Sequence, residues 1–336
     1  MIFIHKGSGI LRLFLYFSLA IPILYLNWLG ILVGAAMALA IILGLYLRSV
    51  MTCELYERIL YLICMLSVTS SSFAIIEEIL LIVINDRYNS HRISSVFFYP
   101  NYFGTIASTV ILICAYKLFT KQGHKWFYCY VIFMNIISLY LCKSIFAFIE
   151  VFVGITVLLF LLKKYKLLTA WLVSAMLAFV MIFLLNMKLI PRLDDIEVTL
   201  GIRYRIWELA KEQFLKKPLF GQGYMTFLKV YEVYYKRQII PHSHSIYFEM
   251  LLNFGVTGTV LLVWYFMKYY AAVITACFKG KKTMITSLIL SVSAATFIHG
   301  ITDLTLLWIQ TLPLFLIILS GLGGVEKIPL NKKRRA

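Results

Sequence analysis

Charge is what this sequence has least of. Only 14% of its 336 residues are Asp, Glu, Lys or Arg, against 62% hydrophobic, and the mean hydropathy is +0.88. Soluble globular chains carry about a quarter charged residues, so the composition excludes a water-soluble enzyme. Acidic residues are the scarcer kind, 15 against 32 Lys and Arg. No basic stretch outside the apolar runs is large enough to form a nucleic-acid domain. The net charge of +17 therefore reads as a membrane-orientation signal, with no nucleic-acid partner. The six cysteines (Cys53, Cys64, Cys114, Cys129, Cys142, Cys277) show no CxxC or metal spacing and lie in or beside apolar runs, so they are small hydrophobes and imply no disulfide framework. A P-loop and an Asp-rich metal signature are also missing. Neither ATP nor a metal-bound nucleotide sugar is indicated, and no cofactor or metal is expected.

Long apolar runs are what the chain has instead. A bilayer core takes about 20 apolar residues of helix, and ten stretches approach that length: 10–27, 29–47, 59–76, 101–119, 126–142, 144–162, 167–187, 244–267, 283–302 and 304–322. The expected fold class is all-α, a polytopic membrane bundle of about ten transmembrane helices, with 1–336 as a single membrane domain. The first run has no small-residue cleavage site before the next and is read as a retained helix. Cytoplasmic loops collect Lys and Arg. With both termini inside, they take Lys6, Arg12, Arg48, Arg58, Lys117, Lys121, Lys125, Lys163, Lys164, Lys166, Lys268, Lys279, Lys281, Lys282, Lys327, Lys332, Lys333, Arg334 and Arg335. The short outer loops keep Arg87, Arg92 and Lys143. The other cations fall in one hydrophilic segment, 188–243, and long loops translocate largely regardless of charge. This describes a multi-pass protein of the cell inner or plasma membrane, both ends cytoplasmic, with one long extracytoplasmic loop.

Inside that loop, Trp207, Ala210 and Phe214 recur at i, i+3 and i+7, which predicts an amphipathic helix over 203–217, stopped by Pro218, Gly221 and Gly223. An ionisable side chain within a span is costly and is by default a functional hypothesis. Four places qualify, all in the outer half under this topology. They are Glu150; the eighth span with Ser245, Glu249 and Asn253 on one face behind His242-Ser243-His244; His299-Gly300 to Asp303; and the loop from Arg92 to Asn101. Each also has a structural reading. Glu150 can pair with Lys143, Asn101 can cap its helix, His299 and Asp303 can solvate a helix end, and Arg203 and Arg205 can be surface charges.

Two imidazoles at the mouth of a span, with arginines in the same outer layer, suit chemistry on a lipid-linked phosphate. Imidazole removes a proton from a hydroxyl nucleophile, while guanidinium clamps phosphate oxygens and stays charged. His242 and His244 lack a carboxylate or Cys at ligand spacing, so they are not a metal motif.

These residues resemble the bacterial O-antigen polymerase/ligase superfamily over about 92–323. Arg203 and Trp207 match its R-x-x-x-W, Pro218 to Gly223 its P-x-x-G-x-G, and His244 to Gly258 its H-N-x-x-L…G-x-x-G. Pro100-Asn101 resembles its N-P-N element and His299-Gly300 to Asp303 its H-G-x-x-D. Departures are Ile145 after Ser144, where the family has Ser-Arg and Lys143 can supply the cation, and Asn253 in place of an acidic residue. The resemblance implies metal-independent glycosyl transfer outside the cytoplasmic membrane from an undecaprenyl-diphosphate-linked oligosaccharide. His244 would activate the acceptor hydroxyl and Arg203 would bind pyrophosphate. Arg205, His242, Arg92, Asn101, Lys143, Glu249 and Asp303 would contact substrate. Implied partners are membrane lipid, a chain-length regulator and a flippase.

A polymerase and a ligase share these motifs and differ in acceptor. A surface or capsular polysaccharide polymerase is favoured because no second outer domain exists to recognise a lipid core or protein. An O-antigen ligase, a protein O-oligosaccharyltransferase and a transporter of lipid-linked sugars are the alternatives. A transporter predicts internal repeats or broken helices, and the sequence shows neither.

Overall fold

The computed structural model describes residues 8–85, 92–184, 190–234, 240–278, 283–304 and 306–327. Lys6, Arg87, Lys279, Lys281, Lys282, Lys332, Lys333, Arg334 and Arg335 lie outside the described residues. The helices are α1 (Ser8–Leu24), α2 (Trp28–Val50), α3 (Cys53–Asn85), α4 (Pro100–Phe119), α5 (Lys125–Cys142), α6 (Ile145–Leu161), α7 (Tyr165–Leu184), α8 (Ile196–Lys216), α9 (Thr226–Tyr234), α10 (Ile246–Phe278), α11 (Thr283–His299) and α12 (Leu312–Glu326). There is no strand among the described residues. Six helices, α2, α3, α4, α5, α7 and α10, are long and apolar enough to cross a membrane, and α1, α6, α11 and α12 are shorter apolar helices. Each expected span falls on one of these ten, and the chain is a polytopic helical membrane protein.

Three of the boundaries that differ from the sequence reading have a local reason. The helix α3 runs past 76 to Asn85 because Glu77 does not have to face lipid: its Oε2 accepts the Ser95 N–H at 2.7 Å. Lys268 does not end α10, since its ammonium lies 5.3 Å from the Trp264 ring centroid while the helix continues to Phe278. The last span starts at Leu312 and not at 304, because the residues after Asp303 form turns.

The helices group into two compact units, each assembled from three separate stretches. The first comprises 1–47, 194–272 and 297–316. One core of this unit is formed by Ile206, Leu209 and Ala210 from α8, Phe227 and Tyr231 from α9, and Leu252 from α10. The helix expected over 203–217 is α8, but its buried face is rotated from the predicted one. Arg203, Ile206, Leu209, Ala210 and Gln213 are buried, whereas Trp207 and Phe214 are half-buried. Polar Arg203 and Gln213 both sit in the buried stripe; Arg203 faces Asp303, and the backbone carbonyl of Gln213 accepts the Gln222 side-chain amide N–H at 2.8 Å.

The helix α10 is broken, contrary to the sequence reading, at Gly255 (φ 60, ψ −168). A break opens backbone groups that must find partners, and here the turn 218–223 supplies all four. Val256 and Thr257 donate to the Pro218 and Leu219 carbonyls (2.8 and 3.0 Å), and Gln222 and Gly223 donate to the Leu252 and Asn253 carbonyls (2.9 and 2.8 Å). The two segments of this exchange touch where both residues are glycine. A Cβ on Gly221 (φ +70) would stand 2.5 Å from the Gly255 nitrogen, and one on Gly255 would stand 2.5 Å from the Gly221 nitrogen. This contact is the physical content of P-x-x-G-x-G and of the first glycine in G-x-x-G.

The second unit comprises 48–193, 273–296 and 317–336. Helix α4 is buried along most of its length against α3, α5 and α6, and α7 packs on α6. Polar side chains join α5 to α3: Asn135 donates to the Ser67 hydroxyl at 3.1 Å and Ser138 to the Ser71 hydroxyl at 2.8 Å. Glu57 takes the buried Lys117 ammonium on one oxygen and the Tyr116 hydroxyl, at 2.7 Å, on the other. The six cysteines are free thiols.

Candidate active site

Four chain segments of the first unit converge on His244. The face of α8 that carries Arg203 and Trp207, one helical turn apart, docks on the segment before α10. The Arg203 guanidinium lies 3.9 Å from Oδ2 of Asp303, and the Trp207 indole N–H donates to the His244 carbonyl at 3.4 Å. Trp207 also stacks on Phe248, with ring centroids 6.0 Å apart. The spacing of R-x-x-x-W thus puts a cation and an anchor on one helix face. The end of α11 is tied in through the Ile246 N–H, which donates to the Gly300 carbonyl at 2.8 Å, and through the Tyr247 hydroxyl, which donates to the Phe297 carbonyl at 3.0 Å. Asp303 is thereby set beside His244, with Nδ1 of the imidazole 3.4 Å from Oδ1.

The two histidines have different surroundings. His242 is 3% exposed, its ring stands 4.4 Å from that of His244 and 5.8 Å from that of Trp308, and its Nδ1 accepts the His244 N–H at 3.2 Å. Burial first, then the neighbouring His244 and Arg203, push the His242 pKa down to about 3 against a smaller opposing pull from Asp303, so its imidazole stays neutral. His244 is only partly buried, and its backbone is in the left-handed region (φ 50), uncommon for a residue with a Cβ. Asp303 is 1% exposed. Burial works against its ionisation, but the hydrogen-bonding and charge of His244, followed by His242 and Arg203, outweigh it and hold the carboxyl well below the usual range. A buried carboxylate 3.4 Å from Nδ1 lies on one side of the ring, an arrangement that resembles a base oriented by a third group.

His242, His244 and Asp303 also bring one potential ligand atom each within 4.8 Å of one another. The carboxylate absent from the local sequence therefore arrives from 59 residues further on. Neutral His242 and ionised Asp303 are in the forms that bind a divalent ion; the Arg203 cation beside Asp303 opposes one.

Of the other sequence-predicted site residues, Glu249 belongs to the same unit but is 2% exposed and turned onto Ser243, whose N–H and hydroxyl both donate to its Oε2 (2.8 and 2.7 Å). Arg205 is exposed on α8, on another face from buried Arg203. Arg92, Asn101 and Lys143 lie in the second unit. Arg92 donates from Nε to the Cys142 carbonyl at 3.1 Å and from Nη2 to the Asn101 side-chain oxygen. Asn101 sits within the first turn of α4 and is not its cap, which is Tyr99. Lys143 ends α5 in the left-handed conformation (φ 50). Glu150 is fully buried in α6. Sequence reasoning missed the anchoring by Trp207, the ring of Trp308 and the contact of Ser243 with Glu249. The i, i+4 spacing of Arg203 and Trp207 signals the first, and nothing local signals the others.

Residues 130–263 match the family model described as O-antigen ligase. That match supports the O-antigen polymerase/ligase superfamily for this chain. The region spans Arg203, the 218–223 turn, His244 and the Gly255 break, while Asp303 lies beyond it. It supports a membrane enzyme of polysaccharide assembly. No curated protein matches the chain.

Proposed function

We propose that the chain is a polysaccharide polymerase of the surface, capsular or O-antigen type. It transfers an undecaprenyl-diphosphate-linked oligosaccharide to a sugar hydroxyl of a second lipid-linked repeat, on the extracytoplasmic face and without a metal. The observation that carries this reading is the His244 imidazole, backed by buried Asp303 on Nδ1, with the Arg203 guanidinium on the other oxygen of the same carboxylate. Nε2 of His244 takes the acceptor hydroxyl proton as the hydroxyl oxygen bonds to the donor anomeric carbon. The bond from that carbon to the diphosphate oxygen breaks, and undecaprenyl diphosphate leaves with its charge met by Arg203. His242, neutral and engaged through Nδ1, shapes the site and is not the base. Asp303 acts through His244 and not on substrate.

The matched family's description favours a second reading, a ligase using the same groups on a different acceptor. A transporter is disfavoured by the α10 break, whose opened backbone groups pair with the 218–223 turn and not with a substrate path. The deciding experiment incubates purified protein with a short lipid-linked repeat alone. A ladder of products is expected; inactivity until an acceptor lipid or protein is added establishes the ligase.

A further inference from the structure

We propose that Glu249 is a positioning residue that holds the His242-Ser243-His244 segment in its working shape through Ser243, and that it touches no substrate. Both of its oxygens are occupied inside the protein. Oε2 receives the Ser243 N–H and hydroxyl, and Oε1 receives the Asn253 amide at 3.3 Å. The residue that Glu249 grips has the two imidazoles as its chain neighbours, so displacing Ser243 displaces both.

The grip is needed because the segment does not hold itself by regular structure. Pro241 to Ser245 precede the helix, and His244 has a positive φ of 50. Other tethers are the long Trp207 contact to the His244 carbonyl, the His244 N–H to Nδ1 of His242, and the Ser243 hydroxyl to the Ser245 carbonyl at 3.2 Å. The last stays within the segment, and the same hydroxyl is closer to Glu249, at 2.7 Å. Glu249 stands one turn into α10, where its backbone N–H donates to the Ser245 carbonyl at 3.0 Å, so its carboxylate folds back over the residues before the helix and satisfies a donor there. Asn253, one turn further on, braces the carboxylate from below. The polar stripe of Ser245, Glu249 and Asn253 is in this reading an internal brace and not a substrate track.

The kinetic arm of the test rests on the glycosyl-transfer reading, and a chemical arm does not. In the first, Glu249→Ala lowers kcat by about a hundredfold with KM within about twofold, and Glu249→Gln, which keeps an acceptor for the Ser243 N–H, restores kcat to within about tenfold of the parent. In the second, the full-length protein in detergent is treated with diethyl pyrocarbonate and modification is followed by mass spectrometry. His242 reacts about tenfold faster in Glu249→Ala than in the parent, and at the parental rate in Glu249→Gln. Ser243→Ala, which keeps the N–H but loses the hydroxyl, shifts both readouts in the same direction by less. Adding it to Glu249→Ala changes little, because the pair acts as one unit. A rise in KM at constant kcat in Glu249→Ala overturns the proposal in favour of a substrate contact. So does parental His242 reactivity in a folded Glu249→Ala protein or, where that variant does not fold, in Ser243→Ala. If the parent forms no product with any acceptor, the glycosyl-transfer reading fails while the His242 arm still decides this one.

Discussion

Two buried ionic groups, one in each compact unit, look alike in composition and differ in closure. In the second unit, Glu57 has one oxygen on the Lys117 ammonium and the other on the Tyr116 hydroxyl, so the carboxylate is matched by direct contacts. In the first, Arg203 and His244 stand 3.9 and 3.4 Å from Asp303, beyond a short charge-assisted hydrogen bond. A closed pair holds helices together. An open one, in which a partly exposed imidazole and a guanidinium share a buried carboxylate, keeps capacity for something else.

The largest effects should come from the open cluster. His244→Ala and Arg203→Ala are each expected to abolish polymer formation in a deletion host, a loss of at least about a hundredfold, at normal levels of inserted protein. Normal-length polysaccharide from either variant removes the assigned role. Arg203→Lys is expected to be poor as well, because the planar fork is lost; full activity would reduce Arg203 to a point charge.

The closed cluster should respond in the opposite currency, stability. Glu57→Gln leaves Lys117 buried without its counter-charge and is expected to cost about 3–5 kcal/mol, seen as lower abundance and melting temperature with unchanged activity per folded molecule. Lost specific activity in Glu57→Gln would erase the distinction between the two clusters.

A smaller, sharper effect lies in pH dependence. The folded pKa values of His242 and Asp303 are both depressed, so for both the unfolded chain binds the proton more readily, and their contributions to stability fall as pH falls. For His242 the window runs from its ordinary value of about 6.5 down to about 3. His242→Gln should therefore flatten the acid-side fall in melting temperature. Neither group takes up a proton between roughly pH 5 and 8, so kcat/KM should decline toward acid with a slope no steeper than one; a slope of two contradicts the assignment of His242 as neutral. The least change is expected from chelation. Activity that is lost to a chelator and returns with a divalent ion would convert His242, His244 and Asp303 from a base and its supports into ligands.

The sequence patterns foretell the membrane helices because hydrophobic run length is set by the bilayer alone. Lys268 and Glu77 misplace helix ends because each finds a private solution, an indole face for one and a backbone N–H for the other. The face of α8 is misread by the same logic: apolar periodicity selects Trp207 and Phe214, while the buried stripe includes Gln213 and Arg203, and the Asp303 carboxylate that Arg203 faces lies far along the chain. In the site, Arg203 and His244 stand out by motif. The proximity of Asp303 to His244 does not, because it depends on Ile246 meeting Gly300 in three dimensions. Glu249 is visible as a polar residue in a span, but spacing cannot say whether its carboxylate faces a ligand or Ser243.

The four backbone hydrogen bonds between 218–223 and the interrupted α10 carry a consequence for engineering. They make the 218–223 turn and residues 252–257 a lock and its key, so neither can be exchanged alone between relatives of different specificity. A chimera that transplants 188–243 without 252–257 would set an unmatched turn against four stranded backbone groups. One that moves both together carries its own hinge with it, and should insert and fold as a cassette.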